Sequence, residues 1–532
     1  MADATQAWDP SRSAAGRLNP WLVVAIISLP TFMEVLDTSI ANVSLENIAG
    51  GLSISTDQAT WVLTSYLVAN AVVIPLSGWL SDAIGRKRYF LFSIALFTGS
   101  SFLCGISPNL TTLVLARVFQ GIGGGGLAPV EQSILADTFP PEKRGMAFAA
   151  FAIVVVVGPV LGPTLGGYIT DHSSWHWIFL INVPIGIVSF FLVSLFVDEP
   201  EAVVEDRRKL LKKGLRIDYV GVILVVLGLG FLEIFADRGE RLDWFASPMI
   251  IAAAAISATS LVALVFWELN TDNPVIDLKL LKNRNFAMTL IVMMITGLIL
   301  FGTTQLIPQM LQQVMGYSAT DAGLALTVGG IATLIAVPIA GRLTGKVDVR
   351  VLIGSALLVQ AAALWHLAHL NAEISFMDAA FARMIQSAAL PFLFVPLNAI
   401  AYIGLAQRST AQASSLLNVF RNLGGTFGIS ISQTLFANHQ QLRQSELTYS
   451  LNPLNPNYRD WMQQAQQALG SAGGDSQLTA QAVLLAQAQK QAAMLSFIDV
   501  FYALTILVLV VTPVVLLMRS GKNGGAPAGA AH

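Results

Sequence analysis

The sequence predicts an all-α polytopic membrane protein with fourteen transmembrane helices, and three observations carry that prediction. Only 12% of the 532 residues are charged and 54% are apolar, whereas a soluble domain carries about 25% charged residues. The apolar residues gather into runs of the length needed to cross a hydrocarbon core, about 20 helical residues. Lys and Arg cluster between alternate runs, as insertion into a bilayer requires. The net charge of −2 excludes a basic nucleic-acid footprint. The single cysteine, Cys104, lies in an apolar run and has no intrachain disulfide partner.

From the N-terminus, the polar stretch 1–19 lacks the basic, apolar and small-residue order of a cleaved signal, so the first helix is expected to act as its own insertion signal. Six apolar runs follow at 20–44, 57–80, 88–107, 109–133, 142–170 and 176–197. A basic linker at 198–216 carries Arg207, Arg208, Lys209, Lys212, Lys213 and Arg216. Two more runs, 217–236 and 247–269, form an inserted pair within 217–270, between the first six and a second six. The second set reads 285–313, 319–343, 349–370, 376–404, 411–437 and 496–518, within a C-terminal unit spanning 284–518. With the N-terminus cytoplasmic, the clusters Arg86 to Arg88, the linker, and Lys279, Lys282 and Arg284 all fall inside. The external loops 45–56, 314–318 and 371–375 then have no Lys or Arg. An even count of spans makes both termini cytoplasmic, including the tail 519–532. The segment 438–495 is expected outside, as a helical hairpin. It has a turn-prone stretch at Asn452–Tyr458, a polar helical patch at Asp460–Leu469, a Gly-Ser break at Ser471–Ser476 and a second helix from Leu478. Such a segment is either a docking element or a solvated spacer.

Charges inside the runs point to function. Glu34 and Asp37, three residues apart, lie on one face of the first helix. An ionised carboxylate at that depth costs about 2.5 kcal/mol or more even on lenient insertion scales. They are either a proton-carrying or cation-sensing site, or acids that sit at a wet helix end or pair structurally with a base. Arg117 in the fourth helix is the base expected to face one of them, with Gln120 one turn on. Between helices 2 and 3, Gly78, Asp82, Gly85 and Arg86 combine tight packing and a sharp turn with an acid that either accepts from a neighbouring helix N-terminus or pairs with Arg86, closing the cytoplasmic end. Helix 5 carries Gly158, Pro159, Gly162, Pro163, Gly166 and Gly167, a flat, kinked face expected to act as a pivot between two bundles. Asn42, Gln120, Gln386 and Arg421 are candidates for a substrate cavity, and a membrane arginine such as Arg383 or Arg421 is expected either to attract an anionic substrate group or to pair across the cleft.

These motifs, in this order, resemble the major facilitator superfamily: Gly78–Arg88 its loop motif, Leu113–Gly121 its helix-4 motif, and Gly158–Gly167 the helix-5 motif of its antiporters. Leu36–Val43, Trp177–Gly186, Asp237–Gly239 with Leu242–Phe245, and Trp267–Leu269 with Asp272–Pro274 are similar to the fourteen-helix drug:proton antiporter branch. The resemblance implies two six-helix bundles with two inserted helices and alternating access to a central cavity. It further implies proton-driven export of hydrophobic compounds, with Asp37 and Arg117 on the coupling positions. Glu34 departs from the branch pattern, and either favours cationic substrates or adds a second proton site. By the same resemblance, the expected setting is a bacterial inner membrane and a tripartite system. Its partners would be a periplasmic adaptor protein and an outer-membrane channel of the TolC kind.

No phosphate-cradling loop, metal-ligand spacing among the six His residues, or nucleophile–base constellation is visible. The expectation is therefore a carrier without cofactor, metal or catalytic site, driven by a proton gradient. Three alternatives remain at this point: an exporter of one metabolite or fatty acid, an uptake symporter, and a transport-inactive receptor.

Overall fold

The computed structural model describes residues 13–15, 18–212, 218–272, 274–371, 376–406, 409–449, 451–452, 454–469 and 476–518. Expectations about 1–12, the linker residues Lys213 and Arg216, Asn273, 471–475 and 519–532 fall outside these residues, as do the side chains of Pro163, Lys209 and Lys212. The described chain is helical. Fourteen long helices are numbered here in order: α1 (Pro20–Val43), α2 (Thr56–Ile84), α3 (Arg86–Gly105), α4 (Leu110–Thr138), α5 (Pro141–His172), α6 (Trp177–Phe196) and α7 (Tyr219–Arg238). The series continues with α8 (Pro248–Asn270), α9 (Arg284–Gln313), α10 (Ala319–Leu343), α11 (Val349–Leu367), α12 (Phe376–Ile400), α13 (Thr410–Tyr449) and α14 (Ser476–Val511).

Local chemistry sets where they begin. Asn19, Asn109, Asn283, Ser318 and Asp348 each precede a helix, and each side chain accepts an N–H of the first turn. Gly85, at φ 105°, takes a backbone conformation closed to most side chains and reverses α2 into α3. Twelve described helices are long and apolar enough to cross a membrane, and α5, bent by 43° between Pro159 and Thr164, makes thirteen. The fourteenth, α13, is too polar to qualify by composition, because Gln412, Ser414, Ser415, Asn418, Arg421 and Asn422 crowd its first half. It is nevertheless packed along α9.

The two sets of six repeat each other's packing. In the first, α1 lies on α5, α2 on α4 and α3 on α6; in the second, α9 lies on α13, α10 on α12 and α11 on α14. The fourth helix of each set is broken: α4 after Gly124, α12 after Ala389. The bundles meet where α5 packs on α10 and α13 on α2. The inserted α7 and α8 pack on each other, and α7 also touches α2 and α13. Large apolar side chains such as Leu195, Phe266 and Ile335 face outward, while Gln120, Glu131 and Thr303 are fully buried. That inversion suits a lipid solvent, which takes up apolar surface and leaves polar groups to satisfy one another inside.

The segment 438–495 holds the expected polar helix and the second helix that runs into the last span, and a further arm precedes them. Its first arm is the continuation of α13 to Tyr449, its second the beginning of α14 at Ser476, and a short helix, Pro456–Leu469, lies between. Asp499 ties the arms together, accepting from Arg443 at 3.0 Å and facing His439 at 2.9 Å. Phe436 and Phe497 stack beneath them, ring centroids 4.3 Å apart.

Candidate functional site

The first bundle buries one ion pair completely. Asp37 of α1 and Arg117 of α4 are unexposed, and Arg117 Nη1 donates to Asp37 Oδ2 at 2.6 Å. Gln120 accepts from the same Nη1 at 2.8 Å and donates to Asp37 Oδ1 at 2.9 Å. Asn182 of α6 donates to Asp37 Oδ1 at 2.7 Å. Ser101 of α3 accepts from both amides, each at 3.0 Å. Arg117 Nε donates to the Val62 carbonyl at 3.0 Å, and its guanidinium lies 4.2 Å from the Tyr66 ring centroid. Four helices thus supply partners to one carboxylate and one guanidinium, and a fifth, α3, holds the two amides through Ser101, which offsets the desolvation that an isolated buried charge would suffer. Of the two acids open as partner to Arg117, the geometry selects Asp37.

Glu34 has a separate environment. It accepts from Tyr66 Oη at 2.9 Å and from Asn70 Nδ2 at 3.4 Å. The opposing charge is Arg421 of α13, which acts on both Glu34 and Glu131. Glu131, on the second piece of α4, is fully buried and accepts from Ser28 at 2.5 Å. Two acids of the first bundle therefore lie within electrostatic reach of one guanidinium of the second. Tyr66 joins the clusters, with its ring on Arg117 and its hydroxyl on Glu34.

The remaining cavity candidates do not form one lining. Asn42 is exposed near the end of α1, Gln120 belongs to the Asp37 network, and Gln386 is buried against Arg383 and Thr303. Arg421 lies on α13, which packs on both bundles, within electrostatic reach of Glu34 and Glu131.

At the other end, the loop motif keeps the Asp82–Arg86 pair and adds a closer partner. Arg86 stands 3.9 Å from Asp82, the limit of an ion pair, whereas it pairs closely with Asp137 at the end of α4. It also donates to Thr410, the first residue of α13, at 3.0 Å. Thr410 in turn donates to Asp137 at 3.2 Å. Gly78 lets α13 approach: a Cβ there would lie 3.1 Å from the Ala411 carbonyl oxygen and the Gln412 Cα. Ser415 donates to the Ile74 carbonyl at 2.8 Å, and Asn418 donates to Gln132 at 2.6 Å. The bundles are joined at this Arg86 end by α13 on one side and by Gly145 against Thr344 and Gly341 on the other.

The glycines of α5 also find a different surface. Gly158 meets Val35, Gly162 meets Ser39 and Gly166 meets Ile40, all on α1; Gly167 has nothing within 4 Å. The flat face is thus a seam inside the first bundle, and the contact between bundles is made by other faces of α5. Ser39 donates to the Pro159 carbonyl at 3.2 Å. Pro163, four residues on, has no N–H to offer that carbonyl, so a hydroxyl of α1 replaces the missing helical donor.

The family profile described as Major Facilitator Superfamily matches residues 27–429. The chain belongs to the major facilitator superfamily. It is 38% identical over 512 residues to the multidrug export protein EmrB of Escherichia coli K12, covering 96% of this chain and 98% of that protein. It is 42% identical over 439 residues to EmrB of Haemophilus influenzae, covering 82% of this chain and 84% of that protein. It is 35% identical over 506 residues to the fatty acid resistance protein FarB of Neisseria gonorrhoeae, covering 95% of this chain and 97% of that protein. Among solved structures, the human organic anion transporter MFSD10 matches with a TM-score of 0.57 at 13% identity, covering 92% of this chain and 99% of that chain. The proton:xylose symporter XylE matches with a TM-score of 0.55 at 14% identity, covering 91% and 94%. At those identities the two structures bear on the fold alone: two six-helix bundles of the major facilitator kind. The family resemblance read from the motifs holds, and the chain is an integral membrane protein with a transporter fold.

Several members of the buried networks escaped the sequence reading. Asn182 lies within the Trp177–Gly186 motif but was given no role there, and Ser101 is a small polar residue in an apolar run that nothing local marks. Glu131, Asp137 and Glu233 carried a readable signal, an acid within or at the end of a membrane helix. Glu233 of α7 accepts from Thr426 of α13 at 3.0 and 3.1 Å, and Asp237, one turn later, pairs with Thr64 of α2.

Proposed function

We propose that the chain is a proton-coupled antiporter that exports hydrophobic and amphipathic compounds, driven by the proton gradient without a bound cofactor. The Asp37–Arg117 pair carries this reading. A carboxylate sealed from solvent by one guanidinium and two amides gains or loses a proton only as that network rearranges. Protonation from outside neutralises Asp37 and releases Arg117. Because Asp37 shares α1 with the seam on α5, the release reaches the helices that carry the bundle interface. Glu34, within electrostatic reach of Arg421, is placed to accept either a second proton or a cationic substrate. The Arg86–Asp137–Thr410 contact then latches the cytoplasmic end.

The likeness to proteins named for multidrug export supports the substrate class, and efflux from the cytoplasmic side follows from it. The distribution of Lys and Arg supports cytoplasmic termini, and the likeness to bacterial multidrug export proteins supports a bacterial inner membrane. The arms within 438–495 would then reach the periplasm and meet an adaptor protein that leads to an outer-membrane channel of the TolC kind. A pull-down in which deletion of 450–475 leaves adaptor binding unchanged would remove that contact.

The decisive test is substrate-induced proton release from the purified protein in weak buffer, compared with Asp37→Asn and Glu34→Gln. A hydrophobic drug is expected to release protons from the unmodified protein and none from the variant that lacks the coupling carboxylate. Drug binding without release in the unmodified protein would overturn the scheme. The likeness to FarB favours a second reading, export of fatty acids by the same machinery. Competition between drugs and fatty acids for one transport activity separates a broad exporter from a dedicated one.

A further inference from the structure

We propose that Arg383 forms a binding site for one monovalent anion, a carboxylate or a halide, inside the second bundle. The argument begins with a repeat. Arg117 and Gln120 lie on the first piece of the broken fourth helix of their bundle; Arg383 and Gln386 occupy the same place in theirs. In both pairs the glutamine oxygen accepts from the arginine three residues earlier, at 2.8 Å in the first and 2.5 Å in the second. In both, the glutamine nitrogen then donates to the first helix of its bundle. In the first bundle the acceptor is Asp37, at 2.9 Å; in the second it is Thr303 of α9, at 2.7 Å.

Thr303 therefore stands where the counter-ion stands in the other half, and it brings no charge. Its hydroxyl donates to the Ile299 carbonyl at 2.7 Å, leaving lone pairs for Arg383 Nη1 at 3.1 Å and for Gln386. Thr304 does the same, donating to the Leu300 carbonyl at 2.6 Å and accepting from Arg383 Nη2 at 3.1 Å. Arg383 is 2% exposed, its Nε has no partner, and no carboxylate pairs with it among the described residues. A guanidinium stays charged in proteins, and a buried charge held only by neutral dipoles is costly. A planar fork with a free Nε–H is suited to a carboxylate or a small halide. The second bundle thus holds the cation with no carboxylate of the described residues beside it, and a bound anion would supply the missing charge.

The test uses the full-length protein purified in detergent with sulfate as the only anion, then titrated at constant ionic strength with chloride, acetate or octanoate while thermal unfolding is followed. A saturable rise in Tm is expected, with the apparent Kd weakened roughly ten-fold or more in Arg383→Gln. Tighter binding of octanoate than of acetate would identify the head group of an amphipathic acid as the natural occupant; equal binding of acetate and chloride would identify a free ion. Thr303→Asp, which supplies the missing counter-ion in place, is expected to raise Tm in sulfate and to remove the anion dependence. It also decides the matter if Arg383→Gln does not fold. No saturable effect in the unmodified protein, an equal effect in Arg383→Gln, or an undiminished effect in Thr303→Asp would overturn the proposal. None of these readouts needs transport, so the result is independent of the proton-coupling scheme.

Discussion

At the scale of residues, the Asp37–Arg117 pair is one in which each charge makes the other tolerable. Removing one partner of a buried pair leaves an uncompensated ion and costs about 3–5 kcal/mol, whereas replacing both with neutral groups of similar shape is often neutral or stabilising. Asp37→Asn and Arg117→Gln are therefore each expected to lower Tm in detergent, and the double variant to recover most of the loss. Transport and drug-induced proton release should stay absent in all three. Recovery of Tm with no recovery of release separates coupling from stability, while a double variant as unstable as the sum of the singles would mean that the two side chains do not interact. This pair was legible in the sequence because a charge inside an apolar run must find an opposite charge. The same logic applied to Glu131 and Glu233, yet their partners, Ser28 and Thr426, are neutral hydroxyls on other helices that no local pattern reveals. Asp137 was hidden for another reason. Asp82 sits one helical turn from Arg86 and offers a local pairing, whereas the closer partner comes from a different helix.

At the scale of elements, the Gly-Pro pattern of α5 makes its tightest contacts with α1. The sequence predicted a flat, kinked face correctly but could not say which neighbour it meets, because a stripe of glycines fits any close helix. The structure turns this into a contrast within one motif. A Cβ on Gly162 would collide with Ser39, and the backbone carbon of Ser39 lies only 3.1 Å away, so α1 must shift. Gly162→Ala is expected to cost roughly 1–3 kcal/mol, as overpacking does, and to reduce transport. Gly167, five residues on, has open space. Gly167→Ala is expected to leave transport unchanged and to hold or slightly raise Tm, since alanine favours a helix interior by about 0.5–1 kcal/mol over glycine. Thermal unfolding and efflux assays on the two variants check the assignment. Equal effects would mean that the seam on α1 does not constrain this helix.

At the scale of the molecule, fourteen apolar runs and a family motif order were enough to predict two bundles and an inserted pair, because lipid permits few other solutions for such a chain. The conformational state was not legible, since it depends on contacts between bundles that are weak in any one residue. Here the Arg86 end is held by the Arg86–Asp137 pair with Thr410, by Gly78 under α13, and by Ser415 and Asn418 bonded to the first bundle. If that contact is the latch, weakening it shifts the population toward the state in which this end opens. A loss of a few kcal/mol moves a two-state equilibrium by orders of magnitude. Cys104 is buried and donates to Gln120 at 3.4 Å, so Cys104→Ser keeps a hydroxyl donor there and gives a background free of thiols. In that background Ser415→Cys, shielded by Ile74 and Pro75, should react slowly with a membrane-impermeant maleimide added to inside-out vesicles. Adding Asp137→Ala is expected to speed labelling by roughly ten-fold or more, while Asp82→Ala, at the edge of pairing distance, should change it little. Equal acceleration by both would restore the local Asp82–Arg86 pair as the latch. No acceleration by either would place the closing energy in the helix packing around Gly78 and Gly145 instead of in the charges.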